Sequence, residues 1–292
     1  MDINFELYKI FYHCATEKSF STAAKKLYIT QSAVSQAIKG LEKQLGVSLF
    51  IRNARSIQLT KEAELLYSYV SQAFNYLKTA ESKLIEMEDL SAGEIRIGVS
   101  DSICKYFIMP YIKKFNQLYP KILVKVINRT TPQLYEVLKD GLADFIIATP
   151  PKDYSNHSYK KFVSVEDIFV AAPQKYFNLR ERDISLEELN NHPLILLDSE
   201  SSTRKLLNSF FEENGLTCNA EIELESLELV IEFARIGTGI AYVLRESAQQ
   251  YIQTNELFEV TPTIKPPKRE LGVVTNKKVV PSKAITTFLE SL

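Results

Sequence analysis

Apolar residues in the first part of the chain recur at helical intervals. Ile3, Leu7, Ile10, Phe11 and Cys14 form one stripe, which predicts an amphipathic helix ending near Glu17. Ser21 is placed to cap a short helix whose inner side is Ala23, Ala24 and Leu27, small enough for another helix to approach closely. After a turn at Tyr28 and Ile29, Thr30 is the next capping candidate. Val34, Ile38, Leu41 and Leu45 then follow at steps of four, three and four before Gly46 stops the helix. Two β-prone runs, 47–50 and 57–59, flank the turn Asn53-Ala54-Arg55-Ser56 and predict a hairpin.

From there the apolar positions run Leu59, Ala63, Leu66, Val70, Ala73, Leu77, Ala80, Leu84 and Met87, alternating steps of four and three over four heptads. This pattern predicts a linker helix over 59–90 that pairs with a second copy of itself. The alternative is a stripe laid against the helix's own body. Length favours pairing, because a helix of about 30 residues spans some 45 Å, more than a small domain needs to cover.

Beyond Gly93 the rhythm changes to β-prone runs alternating with amphipathic segments: 95–99, a helix over 102–119, 123–126, a helix after Pro132 with Thr131 as its cap, and 144–148. A second set follows, with a strand over 167–172, the capping box Ser185-Leu186-Glu187-Glu188, a strand over 194–197 and a helix over 202–214 closed by Gly215. Alternation of this kind predicts α/β architecture with largely parallel sheets. Two lobes are expected, about 91–161 with 266–292, and about 162–265. Pro110 should kink or shift the helix that contains it.

The whole chain has 292 residues, 45% hydrophobic and 24% charged, in the range of globular proteins and long enough for more than one domain. No apolar run is long enough to cross a membrane and no secretory signal is visible, so a cytoplasmic protein is expected. The net charge of −1 conceals an asymmetry: residues 1–60 hold eight bases against four acids, and residues 61–90 three lysines against six acids. A basic head therefore precedes an acidic neck. This gives meaning to the polar face of the third helix, Gln31, Ser32, Ser35, Gln36 and Lys39. Gln reads adenine edges, Ser bonds bases or phosphate, and Lys neutralises phosphate. Arg52 and Arg55 on the hairpin are suited to gripping the adjoining backbone.

Ser19-Phe20-Ser21-Thr22-Ala23-Ala24, Gln31-Ser32-Ala33-Val34-Ser35, Ile38, Leu41-Glu42, Leu45-Gly46 and Leu49-Phe50-Ile51-Arg52 stand in one register that resembles the LysR-type DNA-binding domain. Ala63 replaces a glycine usual in that family, a change that favours helix. Leu138, Gly141, Asp144 and Gly237-Thr238-Gly239-Ile240-Ala241 stand where the family's effector domain, itself similar to periplasmic solute-binding proteins, has similar residues.

The resemblance implies a winged helix-turn-helix over 1–58, a coiled-coil linker over 59–90 and an effector-binding domain over 91–292. It further implies a homodimer or tetramer, double-stranded DNA and a small-molecule effector as partners, and contact with RNA polymerase at promoters. The expected DNA-contacting set is Ser21, Thr22, Thr30, Gln31, Ser32, Ser35, Gln36, Lys39, Arg52 and Arg55.

In α/β sheets ligands lie beyond strand carboxyl ends, near helix N-termini that attract anions. Hydroxyls stand at such places: Ser100 and Ser102, Thr131, Thr149, and Ser201, Ser202 and Thr203. Each can be only a cap or turn residue; together they suggest a polar cleft for an anionic metabolite. His13, His157 and His192 are scattered. No nucleophile with its base, metal cluster or phosphate loop occurs at usable spacing, so an enzyme, a metal and a cofactor are not expected. Cys14, Cys104 and Cys218 are too widely spaced for a disulfide framework, and Cys104, next to Lys105, is the one with a conceivable redox role. A competing reading is a solute-binding module whose basic head serves a protein partner. Duplex affinity that falls steeply with salt separates the two.

Overall fold

The computed structural model describes residues 3–53, 56–86 and 93–292. The chain divides into two compact units, Met1–Leu84 with Lys139–Leu142, and Ile85–Leu138 with Ala143–Leu292.

In the first unit, helices α1 (Phe5–Glu17), α2 (Phe20–Leu27) and α3 (Gln31–Leu45) precede the antiparallel hairpin β1 (Phe50–Asn53) and β2 (Ser56–Leu59) and the long helix α4 (Lys61–Glu86). Ser19, not Ser21, caps α2: Lys18 ends α1 in the left-handed region at φ 47°, and the extended Ser19 accepts from the Thr22 amide at 3.2 Å. Ser21 therefore lies on the helix exterior. Thr30 caps α3 through the Ala33 amide at 3.2 Å, and Gly46, at φ 75°, closes it. Glu42 reaches from α3 to the Leu49 amide at 2.8 Å, which fixes the approach to the hairpin, and residues 47–49 are not strand.

Phe11, Cys14, Val34, Ile38, Leu41 and Leu49 are fully buried in the core of this unit. The heptad stripe divides here. Leu59 belongs to β2, opposite Phe50, because Thr60 starts α4 by accepting from the Ala63 amide at 3.1 Å. Ala63, Leu66 and Val70 pack into the same core as α1 to α3. Ring stacking of Phe74 on Phe5 and Tyr12, with centroids 5.2 and 5.0 Å apart, fastens α4 to α1. The first half of the expected seam is thus intramolecular, closing one side of the core that α1 to α3 build. Ala73, Leu77, Ala80 and Leu84 remain exposed, and Met87 lies outside the described residues. Leu65 and Tyr69, 63% and 67% exposed, continue that outward row toward the helix start.

The second unit opens with β3 (Gly93–Val99), α5 (Asp101–Ile103), a π-helical turn (Cys104–Ile108) and α6 (Met109–Leu118). Pro110, which has no amide donor, sits in the first turn of α6 directly after the π turn, so the expected helix is interrupted there. Next come β4 (Ile122–Asn128), α7 (Thr131–Lys139), β5 (Phe145–Ala148) and β6 (His157–Val165). The chain then builds β7 (Asp167–Ala171), α8 (Pro173–Tyr176), β8 (Asp183–Ile184), α9 (Leu186–Asn190), β9 (Leu194–Leu197), α10 (Ser202–Glu213), β10 (Ile222–Leu224), α11 (Leu227–Arg235), β11 (Ile240–Leu244), α12 (Arg245–Gln253) and β12 (Phe258–Pro262). Finally β13 (Arg269–Asn276) and α13 (Lys283–Glu290) follow.

One sheet has the order β4-β3-β5-β13-β6 and the other β10-β9-β11-β7-β12-β8. Both are mixed rather than largely parallel: β13 runs antiparallel to β5 and β6, and β7 antiparallel to β11 and β12. These are the strands that begin or end where the chain crosses between sheets, so they enter from the opposite end. Asp144 locks β5 to β3, accepting from the Arg96 amide at 2.7 Å and its guanidinium at 2.6 Å. Gly239 allows the chain to pass Pro193, whose carbonyl oxygen would lie 2.5 Å from any added Cβ.

Between the sheets, Asp167 at the start of β7 holds Arg269 at the start of β13 through bonds of 2.5 and 2.8 Å, both side chains buried. Beside it Arg245 joins Glu166 and Glu259, each at 2.8 Å. Burial by itself disfavours the Arg269 cation, but the adjacent Asp167 charge and bond outweigh it and raise its pKa. Asp167→Ala leaves that charge buried without a partner and should cost about 3–5 kcal/mol of stability, read from the urea midpoint of the full chain. A loss under about 1 kcal/mol would contradict this role for the pair.

Candidate DNA interface and effector cleft

The head presents one face of α3 outward because its other face, Val34, Ile38 and Leu41, is fully buried. Gln31, Ser32, Gln36 and Lys39 are exposed and Ser35 half-buried along this row. Thr30 is partly committed to its cap and also meets the Ser32 hydroxyl at 2.9 Å. Ser21 and Thr22 are exposed on the first turn of α2, with the Thr22 hydroxyl 3.1 Å from Ser19. Arg52 lies on β1 by its backbone, and Arg55 falls outside the described residues.

Lys9 and Lys26 are paired with Glu6 and Glu17 at 3.2 and 2.6 Å, whereas Lys25, Lys39 and Lys43 have no ion pair among the described residues. Among the described residues of the head, unpaired lysines thus stand at Lys18 and along α2 and α3. His13 titrates below its ordinary range because it is partly buried and faces Lys78 and Lys26, so it adds little charge.

The second unit contains a cavity of about 580 Å³ between its two sheets. Ser100, Ser102, Thr131, Ser201, Ser202 and Thr203 all line it. The Ser100 and Ser201 side chains make no capping bond, and the Thr131 and Ser202 hydroxyls meet at 3.4 Å, bringing the N-termini of α7 and α10 together. Thr149 is not part of the lining: Tyr135 of α7 stands over that strand end and donates to the Thr149 carbonyl at 2.7 Å.

Charged groups that the hydroxyl pattern did not indicate also line the cavity. They are Asp101, Asp198, Glu225 and Glu228 among acids, and Lys105, Arg129 and Arg269 among bases. Lys105 pairs with Glu228 across the cavity at 2.8 Å, which raises the lysine pKa and lowers that of the glutamate. Asn128, whose amide donates to Asp101, is the last residue of β4, and its pairing with Val99 sets it beside Ser100, which follows β3. A strand-end rule applied to polar residues in general, not only hydroxyls, would have found Asn128 and Asp198.

All three cysteines are free. Burial pushes Cys14 to about 12 and Cys218 to about 11, and burial with the nearby Asp101 charge raises Cys104. Among the described residues no group of three or more His, Cys, Asp or Glu is arranged to hold a metal ion, and no helix is long and apolar enough to cross a membrane.

A family model described as the LysR substrate binding domain matches residues 88–292, and one described as a bacterial regulatory helix-turn-helix protein of the lysR family matches residues 5–64. A "Probable RuBisCO transcriptional regulator" of Cyanidioschyzon merolae is 30% identical over 290 residues, covering 97% of this chain and 95% of the relative. The "HTH-type transcriptional activator CmpR" of Synechocystis is 30% identical over 234 residues, with 80% and 76% covered. The fold is also similar to that of a full-length OxyR variant from Pseudomonas aeruginosa, with a TM-score of 0.75 at 18% identity, covering 100% of this chain and 95% of that one. ArgP from Mycobacterium tuberculosis gives a TM-score of 0.73 at 18% identity, with 99% and 96% covered.

The raised Cys104 pKa makes this thiol a poor nucleophile at neutral pH. Its alkylation by iodoacetamide, followed by mass spectrometry of the native chain, should show a pH midpoint above that of an ordinary cysteine. A midpoint below about 8 would restore the redox reading.

Proposed function

The chain belongs to the LysR family of transcription regulators, and from that premise we propose how its residues divide the work of reading DNA and sensing a small molecule. It is a DNA-binding regulator with an effector-binding domain, not an enzyme. The observation that carries the reading is the α3 row Gln31, Ser32, Ser35, Gln36 and Lys39, turned outward by a fully buried opposite face on a head with net positive charge.

A helix in the major groove contacts bases through such a row, while Ser21, Thr22, Arg52 and Arg55 serve phosphate or the adjoining groove. The 580 Å³ cavity is the effector site, with Ser100, Ser102, Thr131, Ser201, Ser202 and Thr203 as hydrogen-bonding groups for a carboxylate-bearing molecule. Thr149 is left out.

Dimerisation uses the outward row Leu65, Tyr69, Ala73, Leu77, Ala80 and Leu84, supported by its exposure along a helix about 39 Å long. Two heads so joined read a pseudo-palindromic site. Higher assembly to a tetramer, contact with RNA polymerase and residence in the cytoplasm belong to the same reading.

Binding of effector and of DNA should be coupled by about 1–3 kcal/mol, measured as the shift in operator affinity on adding effector. Ser32→Ala or Gln36→Ala should each weaken specific binding by about 1–3 kcal/mol, whereas Arg52→Ala should weaken specific and non-specific duplex alike. Footprints and salt titrations on a duplex from around the protein's own gene check this, and unchanged footprints in all three variants would remove the assignment. Leu77→Asp should yield folded monomers in sedimentation. Leu66→Asp should instead lower head stability, since Leu66 packs into the head core.

A further inference from the structure

Resting on the reading of the 580 Å³ cavity as the effector site, the charges around it narrow the ligand class. Two ion pairs are internally neutral: Lys105 with Glu228 at 2.8 Å, and the buried Arg269 with Asp167. What remains is uneven. Asp101, Asp198 and Glu225 face the space with no ion pair among the described residues, against Arg129 as the one cation of that standing. Asp101 has only the neutral Asn128 amide, and Asp198 only the Glu200 amide of its own turn at 2.8 Å. Asp198 and Glu225 directly follow adjacent strands, since β9 and β10 pair Leu197↔Leu224 and the Asp198 amide donates to the Leu224 carbonyl at 2.9 Å. Two carboxylates so placed repel each other and any second anion, and the repulsion grows as the space loses water.

The same space also accepts an anion. The N-termini of α7, nine residues, and α10, twelve residues, meet at Thr131 and Ser202. Arg269 supplies an independent sign of a ligand: it is only 8% exposed, lines the cavity, and binds Asp167 through Nε and Nη2. Its remaining amino group has no partner among the described residues, so a largely buried guanidinium keeps one donor for an acceptor in the cavity.

We propose that the effector is an amino carboxylate: its carboxylate is taken by the helix N-termini and the free Arg269 amino group, and its ammonium by Asp198 and Glu225. This departs from the purely anionic metabolite that the hydroxyls alone suggest. A dicarboxylate or a sugar phosphate satisfies the first set of groups and is repelled by the second.

The test uses the full chain, with thermal unfolding as a screen and isothermal titration for affinity. The probes are the twenty amino acids, ornithine and the common polyamines, with deaminated counterparts such as glutarate for glutamate and hexanoate for lysine, and with glycerol phosphate and citrate. The expected result is that at least one amino acid binds at least tenfold more tightly than its deaminated counterpart. Asp198→Asn and Glu225→Gln, each checked by its ligand-free melting temperature, should reduce that preference at least tenfold while the deaminated acid loses nothing. Arg129→Gln should not abolish the preference.

If a dicarboxylate or phosphate binds and no amino-bearing probe does, this inference fails and the effector-site reading stands. An amino acid that binds with its preference untouched in both acidic variants also overturns it. If no probe of any charge binds, the inference and the effector-site reading fall together, while operator binding by the head is measured separately by footprinting.

Discussion

The buried pair of Asp167 and Arg269 lies where the chain passes from one sheet to the other, and Arg269 lines the cavity between them. Asp167 is the first residue of β7 and Arg269 the first of β13, so one ion pair joins the starts of strands in different sheets. Both sheets run their other strands toward this space, which places Ser100 with Asn128 and Asp198 with Glu225 on facing walls. A buried pair of this kind adds little net stability relative to an apolar pair, yet it fixes geometry because neither partner can turn away without stranding the other. Arg245, held by Glu166 and Glu259 beside it, ties the same joint from its more exposed side.

Within the head, function follows from a division of labour on one helix. α3 uses Val34, Ile38 and Leu41 to hold itself against α1 and α2, so the row opposite them is turned outward. Glu42 extends the same logic to the hairpin: its carboxylate accepts from the Leu49 amide, which orients the approach to β1. The head is positive because bases outnumber acids eight to four over residues 1–60, and two of those acids are held in place, Glu17 by Lys26 and Glu42 by backbone.

The cleft works by the opposite arrangement. Its helix N-termini and hydroxyls favour anions, while three carboxylates without ion pairs among the described residues favour cations, and the proposed effector is the class of molecule that satisfies both within one space. Lys105 and Glu228, bridging the walls at 2.8 Å in the exposed part of the cavity, compete with any ligand that needs either of them.

How far residue order alone specifies this molecule can be seen element by element. The amphipathic face of α3, its Thr30 cap and Gly46 stop, the hairpin around residues 53–56 and the alternation of strands and helices are legible because each depends on neighbours a few positions away. β6 is not legible, because its burial is irregular and interrupted by Lys160 and Lys161. The heptad stripe of α4 is visible in the sequence, but what covers it is not. Periodicity states that one side of a helix is apolar, whereas only long-range packing decided that Ala63, Leu66 and Val70 meet the head and that Leu65 and Tyr69 stay outside. The same holds in the cleft. Strand ends identify hydroxyls by local position, but the exclusion of Thr149 behind Tyr135, the placing of Asp198 and Glu225 just beyond two paired strands and the burial of Arg269 arise from contacts between segments far apart along the chain, which no local pattern encodes.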